Sequence, residues 1–399
     1  MNKRLCFLVV IGSVISMQGF AAKERVIRFQ NHVRVGYDDN VNMTDNKDAK
    51  ETGYLTNISQ ITGKFIFSSR TEAIIFWQPE FRYRFSADPK LVSYQDLYAR
   101  LDHAISQRLF MTLSDRLRYQ DREAQRQGVK SSDQNYLDND LQGSLTFTLS
   151  SLSNIKVAGG YMTRTWDDDI YGEVRGNNFD KVSVDASFVR QIFNEKVDGL
   201  VGVNYSSLNH EGQRGGYNSV AAYLGIDQIF NPKLTAYGRF GYQASTVDTL
   251  EATTAADVKS SADDSSPYAQ GGFDYAASAR TSFNGALGYS LTSSENSLYN
   301  AQNRLNLGLG MRHDITAKIN VSATLSYFYS MYDSDYTTGI SAVSDAEDHY
   351  TSLALRATYQ INRNNFFELG YIYSTRKTNS SNLTDYDRNR VELGWKLRL

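Results

Sequence analysis

Glu392-Leu393-Gly394-Trp395-Lys396-Leu397-Arg398-Leu399 ends the chain with a strict period of two. Leu393, Trp395, Leu397 and Leu399 fall on one face of an extended strand, while Glu392, Lys396 and Arg398 fall on the other. A strand of this kind suits a wall with hydrocarbon on one side and water or packed charge on the other. Any half-buried strand alternates, so the pattern gains its weight from recurrence.

It recurs along the chain, most clearly in Ile27 to Tyr37, Ile61 to Phe67, Ile75 to Phe85, Leu141 to Leu149, Val197 to Tyr205, Leu305 to Met311, Ile319 to Tyr329 and Val391 to Leu399. In Leu305-Asn306-Leu307-Gly308-Leu309-Gly310-Met311 every odd residue is apolar and every even one is Asn or Gly. Tight connections are expected near Ser68 to Thr71, Ser106 to Arg108, Ser150 to Asn154, Phe193 to Lys196, Phe230 to Lys233, Arg280 to Ser282, Asp314 to Ala317 and Ile361 to Asn365. Between them run long polar segments: Asp38 to Thr52, Asp88 to Tyr94, Asp121 to Gln134, Asp167 to Asn178, Asn209 to Gly216, Thr249 to Ser265, Ser293 to Tyr299, Asp333 to Glu347 and Lys377 to Thr384. Alternating short and long connections around about 18 strands describe an all-β, antiparallel, up-and-down transmembrane barrel with short periplasmic turns, long extracellular loops and both termini periplasmic. Pro79 interrupts the third strand, where a bulge is expected.

Composition agrees: 27 Tyr, 20 Phe and 28 Gly accompany only 4 Pro, a bias toward β-structure with aromatic girdles. Lys3 and Arg4 precede an apolar run from Leu5 to about Ile15, and Gly19 and Ala21 offer a cleavage site. Residues 1–21 thus read as a secretory signal peptide, leaving a barrel domain over 22–399. The single cysteine, Cys6, lies inside that leader, so a mature disulfide or thiolate metal site is not expected. Without Lys3 and Arg4 the chain has 40 basic against 44 acidic side chains, which gives nucleic acid no purchase. Beyond the leader no stretch reaches the ~18 apolar residues of a spanning helix. A soluble solenoid, sandwich or propeller is the competing fold; it would not need the alternation of loop lengths.

If the apolar parity faces lipid, the other parity lines the lumen. The first strands then contribute a basic wall of Arg28, Arg34, Lys64, Arg82, Arg84, Arg100, Arg116 and Arg118, joined by Arg390, Lys396 and Arg398 of the last strand. Glu80, Asp102 and Glu392 are the acids of that sector on this reading. The middle of the chain supplies an opposing acidic wall of Asp185, Asp198, Asp227 and Asp274, with Arg239 as an exception. Such walls set up a transverse field favouring small polar or anionic solutes, or else neutralise one another as ion pairs. Inward Tyr98, Phe110, Tyr223, Tyr237 and Phe328 offer stacking surfaces or fill space.

Asp121 to Gln134 and Thr249 to Ser265 are candidates for an inward-folding loop by length alone. Carboxylates crowd the loops (Asp38, Asp39, Asp45, Asp48 and Glu51; Asp167, Asp168 and Asp169; Asp257, Asp263 and Asp264), yet none has the spacing of a calcium loop, and no metal or cofactor is expected. The five histidines, His32, His103, His210, His313 and His349, show no catalytic spacing, so an enzyme is not expected. His103 and Asp115 both fall on the lipid parity, and a bulge that shifts the register is the expected cause, a subunit interface the alternative.

Two resemblances add to this. The last strand, with Gly394, Trp395, Leu397 and Leu399, resembles the C-terminal insertion signal of bacterial outer-membrane proteins, although Leu399 replaces the usual aromatic ending. That implies lipopolysaccharide, outer-membrane lipid and the barrel-assembly machinery as partners. Val35-Gly36-Tyr37-Asp38-Asp39-Asn40-Val41, Tyr371-Ile372-Tyr373-Ser374-Thr375-Arg376 and Asp385-Tyr386-Asp387-Arg388-Asn389-Arg390-Val391 resemble the putative β-barrel porin 2 family. The resemblance implies a porin-like outer-membrane channel for passive diffusion or export, with an exopolysaccharide export system as a possible associate. A non-conducting barrel that scaffolds a surface assembly through its acidic loops is the alternative.

Overall fold

The computed structural model describes residues 24–120, 136–166, 178–193, 196–210, 216–252, 257–294, 299, 301–334, 344–380 and 383–399. The expected signal peptide, all of Asp121 to Gln134 and the Asp167–Asp169 cluster lie outside them. Eighteen strands follow one another: β1 (Glu24–Asp38), β2 (Thr52–Ser68), β3 (Thr71–Arg84), β4 (Leu91–Ala104), β5 (Leu109–Gln120), β6 (Tyr136–Ser150), β7 (Ser153–Trp166), β8 (Phe179–Gln191), β9 (Val197–His210), β10 (Tyr217–Asn231), β11 (Leu234–Ala252), β12 (Asp257–Tyr275), β13 (Thr281–Ser293), β14 (Ala301–Asp314), β15 (Ile319–Tyr332), β16 (Ala346–Gln360), β17 (Asn365–Thr378) and β18 (Tyr386–Arg398).

Each strand pairs antiparallel with the next, and β1 pairs with both β2 and β18, so the sheet is a closed barrel. Closure gives backbone donors and acceptors partners inside the wall, which hydrocarbon demands. The closing register sets Val33 against Trp395 and Val35 against Leu393, so the last strand's apolar face continues that of the first. Eight connections at one end are short, and those at the other are mostly longer.

The exposed parity is the apolar one. Phe240 is 70 % exposed and Leu224 67 %, and Val35, Val201, Leu309, Leu355 and Leu393 also face outward. Fully wetted, so many large apolar side chains would each forfeit about 1.5–3 kcal/mol of burial; a lipid surround removes that penalty. Aromatic side chains ring both margins. Tyr275 and Phe283 (6.3 Å between centroids), Tyr359, Phe367 and Trp395 lie toward the turn end, with Trp395 Nε1 donating to Asn365 at 3.1 Å. Tyr37, Tyr83, Phe85, Tyr205 and Tyr242 lie toward the loop end.

Three expectations are corrected. Pro79 does not make a bulge: the β2–β3 register is the same on both sides of it, and only Ser59 and Gln60 lose their ladder partners. The shifts fall instead beside tight turns, at Ile66/Ser68, Thr148/Ser150 and Ile229/Asn231. Thr249 to Ser265 is not a long loop, because β11 and β12 run on as 19-residue strands. His103 and Asp115 owe their outward direction to no register error, since β4 and β5 pair without interruption from Gln95↔Tyr119 to Ala104↔Phe110. His103 sits near the turn end bonded to Thr71 Oγ1 at 2.9 Å, and Asp115, only 3 % exposed, accepts from Asn139 Nδ2 at 2.7 Å.

Candidate functional site

The wall's inner face holds its charges in a paired order. From β16 through β18 to β2, two carboxylates act as hubs. Glu368 of β17 meets Arg356 (3.2 Å), Arg34 (3.3 Å) and His32 (3.4 Å), with Lys396 at 4.0 Å. Glu392 of β18 meets Arg34 and Arg356, each at 3.6 Å, and accepts from the Tyr54 hydroxyl at 2.9 Å. Tyr54 lies flat over Gly36: a Cβ there would come within 2.4 Å of the ring, so glycine is what lets the phenol reach Glu392. Nearer the loop end, Arg376 forks onto Asp348 through Nε and Nη2 at 2.8 and 2.7 Å, and Arg388 forks onto Asp38. Both pairs are buried.

The same order continues through β3 to β7. Arg82 pairs with Glu80 at 3.0 Å and stacks 4.9 Å over Tyr54. Arg100 pairs with Asp102, Arg116 with Asp96 and Lys64 with Glu72. Asp138 takes both Arg118 (3.2 Å) and Arg164 (2.6 Å), and Arg164 also covers Tyr136. The structure therefore places Arg34, Lys64, Arg82, Arg84, Arg100, Arg116, Arg118 and Arg390 on the inner parity, but it answers most of them with acids of their own sector. The expectation of few acids there is corrected: Glu72 of β3 and Asp96 of β4 share that inner parity, and Asp138, Asp348 and Glu368 of the adjoining strands β6, β16 and β17 face the same sector. Each could have been found as a charged residue on the even, lumenal parity of its strand.

The facing wall is different in kind. Asp185, Asp198, Asp227 and Asp274 lie on the inner parity of β8, β9, β10 and β12. Asp185 accepts from the Tyr223 hydroxyl at 2.8 and 3.0 Å, and Asp227 pairs with Arg239 at 3.3 Å. Around them Val189, Leu200 and Tyr223 form a buried apolar cluster with Tyr268. Tyr223 reaches its place across Gly202, where a Cβ would lie 2.5 Å from the ring.

The mouth at the loop end is narrowed by the far end of the β13–β14 hairpin. Leu291 and Ala301 sit on the outward parity of these strands, yet they pack against Leu208, Tyr217 and Val247 on the inner face of β9, β10 and β11. That contact requires the hairpin end to lie inside the wall. Gln243 Nε2 of β11 accordingly donates to the Leu291 carbonyl at 3.3 Å. Across the mouth Tyr299 stacks on Tyr332 at 4.9 Å, packs with Ala346 and Leu383, and donates to the Ser344 carbonyl at 2.7 Å. Loop 1, the connection between β1 and β2, also folds in, seating Met43 on Tyr350 and Tyr386, while Asn40 and Asn46 tie it to Asp387. Of the two segments expected by length, Thr249 to Ser265 is therefore not the one that folds in, and Asp121 to Gln134 lies outside the described residues.

The histidines are dispersed. His32 belongs to the ion-pair network, His103 and His313 each bond a threonine near the turn end, His349 stacks on outward Tyr329, and His210 lies beside Phe179. Among the described residues no group of three metal-ligating side chains is assembled.

Residues 262–399 match the family model described as putative beta-barrel porin 2. No curated protein sequence matches the chain. Among solved structures it is similar to Pseudomonas aeruginosa OccK2 (OpdF), at 11 % identity over 95 % of this chain and 99 % of that one with a TM-score of 0.49. It is also similar to a BenF-like porin from Pseudomonas fluorescens Pf-5, at 12 % identity, 95 % and 100 % coverage and a TM-score of 0.49. A third is the siderophore receptor PiuA from Acinetobacter baumannii, at 10 % identity, 95 % and 82 % coverage and a TM-score of 0.48. Closed by eighteen strands and matched over its C-terminal third by the porin 2 family model, the chain is a porin-like β-barrel of the bacterial outer membrane.

Proposed function

We propose that this barrel is a passive diffusion channel for small polar solutes, lined by paired charge and narrowed at its mouth by the β13–β14 hairpin. The eight short turns and the two chain ends then face the periplasm. The supporting observation is the inner face from β16 through β18 to β7, where the Glu368, Glu392, Asp138 and Asp96 networks present charge and hydroxyl groups rather than an apolar core. An 18-stranded barrel so lined is wide enough to hold water. The hairpin seated in the mouth favours small solutes over an exopolysaccharide strand, which would have to displace it. Loop 1, tied down to Asp387, has little freedom to dock a surface assembly.

Local pairing also sets the expected selectivity. A basic residue answered by an acid of the same sector leaves little net field, so anion preference should be weak. Arg82→Ala alone uncovers Glu80 and should move the reversal potential under a salt gradient toward cations. Arg82→Ala with Glu80→Ala should restore the wild-type value. A strongly anion-selective wild type that the paired removal abolishes would contradict this.

A further inference from the structure

Five of the eight short turns are built alike. A Ser, Thr or Asn is followed two places on by Arg or Lys, whose amide donates back to the first side chain: Arg70 to Ser68, Arg108 to Ser106, Lys233 to Asn231, Arg280 to Ser278 and Lys318 to Thr316, at 2.8–3.2 Å. The carbonyls of the same five residues accept from Ala104, Thr148, Ala276, Asp314 and Gln360 of the neighbouring hairpins at 2.7–2.8 Å. Each such bond continues a ladder by one step, as Arg70 with Ala104 does after Thr71↔His103 and Lys318 with Gln360 after Ile319↔Tyr359. Side chains alternate along a ladder, so one step beyond the outward Thr71, Leu109, Leu234, Thr281 and Ile319 lies the inner parity. One backbone position thus sets an exposed cation on the lumenal side of the rim five times over. Lys196 holds that position in a sixth turn, next to Glu195, which lies outside the described residues, and Leu152 and Asn364 hold it in the other two.

Among the described residues none of the five cations forms an ion pair. Glu72, Asp102 and Asp314 on the same margin are taken by Lys64, Arg100 and Arg312. Glu24, Asp198 and Asp274 are the acids left without an ion pair at this end, so the rim keeps a net positive charge. Successive turns are two strands apart, about 12–14 Å along a rim of tilted strands, which exceeds the ~8 Å Debye length at physiological ionic strength. A small anion therefore cannot bridge two of them, and one solvated cation holds a monoanion weakly. Inner parity also turns the five away from the lipid around the barrel. They stand on two arcs, the β2–β3 and β4–β5 turns on one side and the β10–β11, β12–β13 and β14–β15 turns on the other, facing each other across the eighteen-stranded ring. A linear polyanion follows one arc; a folded surface seated across the mouth meets both.

We propose that the turn-end rim is a docking collar for an acidic protein surface, which binds across the mouth through Arg70, Arg108, Lys233, Arg280 and Lys318. The partner is periplasmic, which rests on the reading that the turns face the periplasm, and when docked it covers that exit of the lumen.

The test uses the full barrel in nanodiscs and a glutamate-supercharged green fluorescent protein as probe, with binding read by fluorescence correlation. Replacing all five cations by Gln should weaken binding at low salt at least about tenfold, and wild-type binding should fall steeply as salt rises. Lys233→Glu/Lys318→Glu, which alters two exposed side chains and no ladder bond, should weaken it in the same direction and guards against a folding defect in the fivefold variant. Lys47→Gln/Lys50→Gln/Lys90→Gln, which removes exposed cations from the loop end, should bind as the wild type does. Equal binding by the wild-type and fivefold variant barrels, or an equal loss in the loop-end variant, would overturn the collar. Tighter binding of alginate oligomers than of the protein probe would overturn the protein surface in favour of a linear polysaccharide. Because binding is read without conduction, a barrel that binds but never conducts counts against the diffusion channel and not against the collar.

Discussion

Glu368→Ala will destabilise the folded barrel far more than removal of any exposed charge. Glu368 is buried and stands on β17, two strands from Arg34 and His32 on β1, so its contacts clasp the seam where the last strand meets the first. Removing it leaves Arg34, Arg356 and Lys396 facing one another with only Glu392 to answer them. Breaking a buried pair from one side costs about 3–5 kcal/mol, because the surviving charge stays buried without its partner. Arg100→Ala is the contrast: its side chain is 42 % exposed, and an exposed pair is worth about 0–1 kcal/mol. The temperature at which the compact band on a denaturing gel converts to the unfolded one should drop markedly for Glu368→Ala and barely for Arg100→Ala. Equal midpoints would show that the hubs do not hold the seam.

Shortening the β13–β14 hairpin should have the largest effect on transport. Replacing residues 292–302 by an Asn-Gly turn, which suits a two-residue hairpin, removes Tyr299 and Ala301 from the mouth while leaving the rest of the wall intact. The apolar contacts of Ala301 with β9 to β11 and of Tyr299 with β15 and β16 hold this segment between two separate stretches of wall. Constrictions of this kind set pore size, so unit conductance should rise at least about twofold and larger sugars should enter in liposome swelling. Unchanged conductance would place the narrowest point elsewhere.

Much of the fold is legible in the sequence because lipid enforces the pattern. A strand between hydrocarbon and a polar lumen must alternate, as Leu305 to Met311 and Leu393 to Leu399 do, and the eight short connections punctuate that alternation at the places the structure shows. Where strands leave the membrane the constraint ends, and the polar stretch Thr249 to Ser265 reads as a loop although it mostly continues β11 and β12. Parity likewise puts Arg34, Arg82 and Arg116 inside, but their partners depend on stagger between strands. Arg34 finds Glu368 on a strand more than 300 residues away along the chain, a meeting set by the β1–β18 register. The infolding of the β13–β14 hairpin is set by its tertiary contacts with β9, β10 and β11, which alternation along the strand does not encode.

Single-channel recording of the refolded wild-type barrel beside the hairpin-shortened form, in a planar bilayer with insertion verified by the heat-modifiable band, tests the channel reading most directly. Small, stable, weakly selective steps in the wild type and larger ones in the shortened form are expected. Correctly inserted barrels that conduct in neither form would contradict it and leave a closed barrel whose paired lumenal charges serve structure alone.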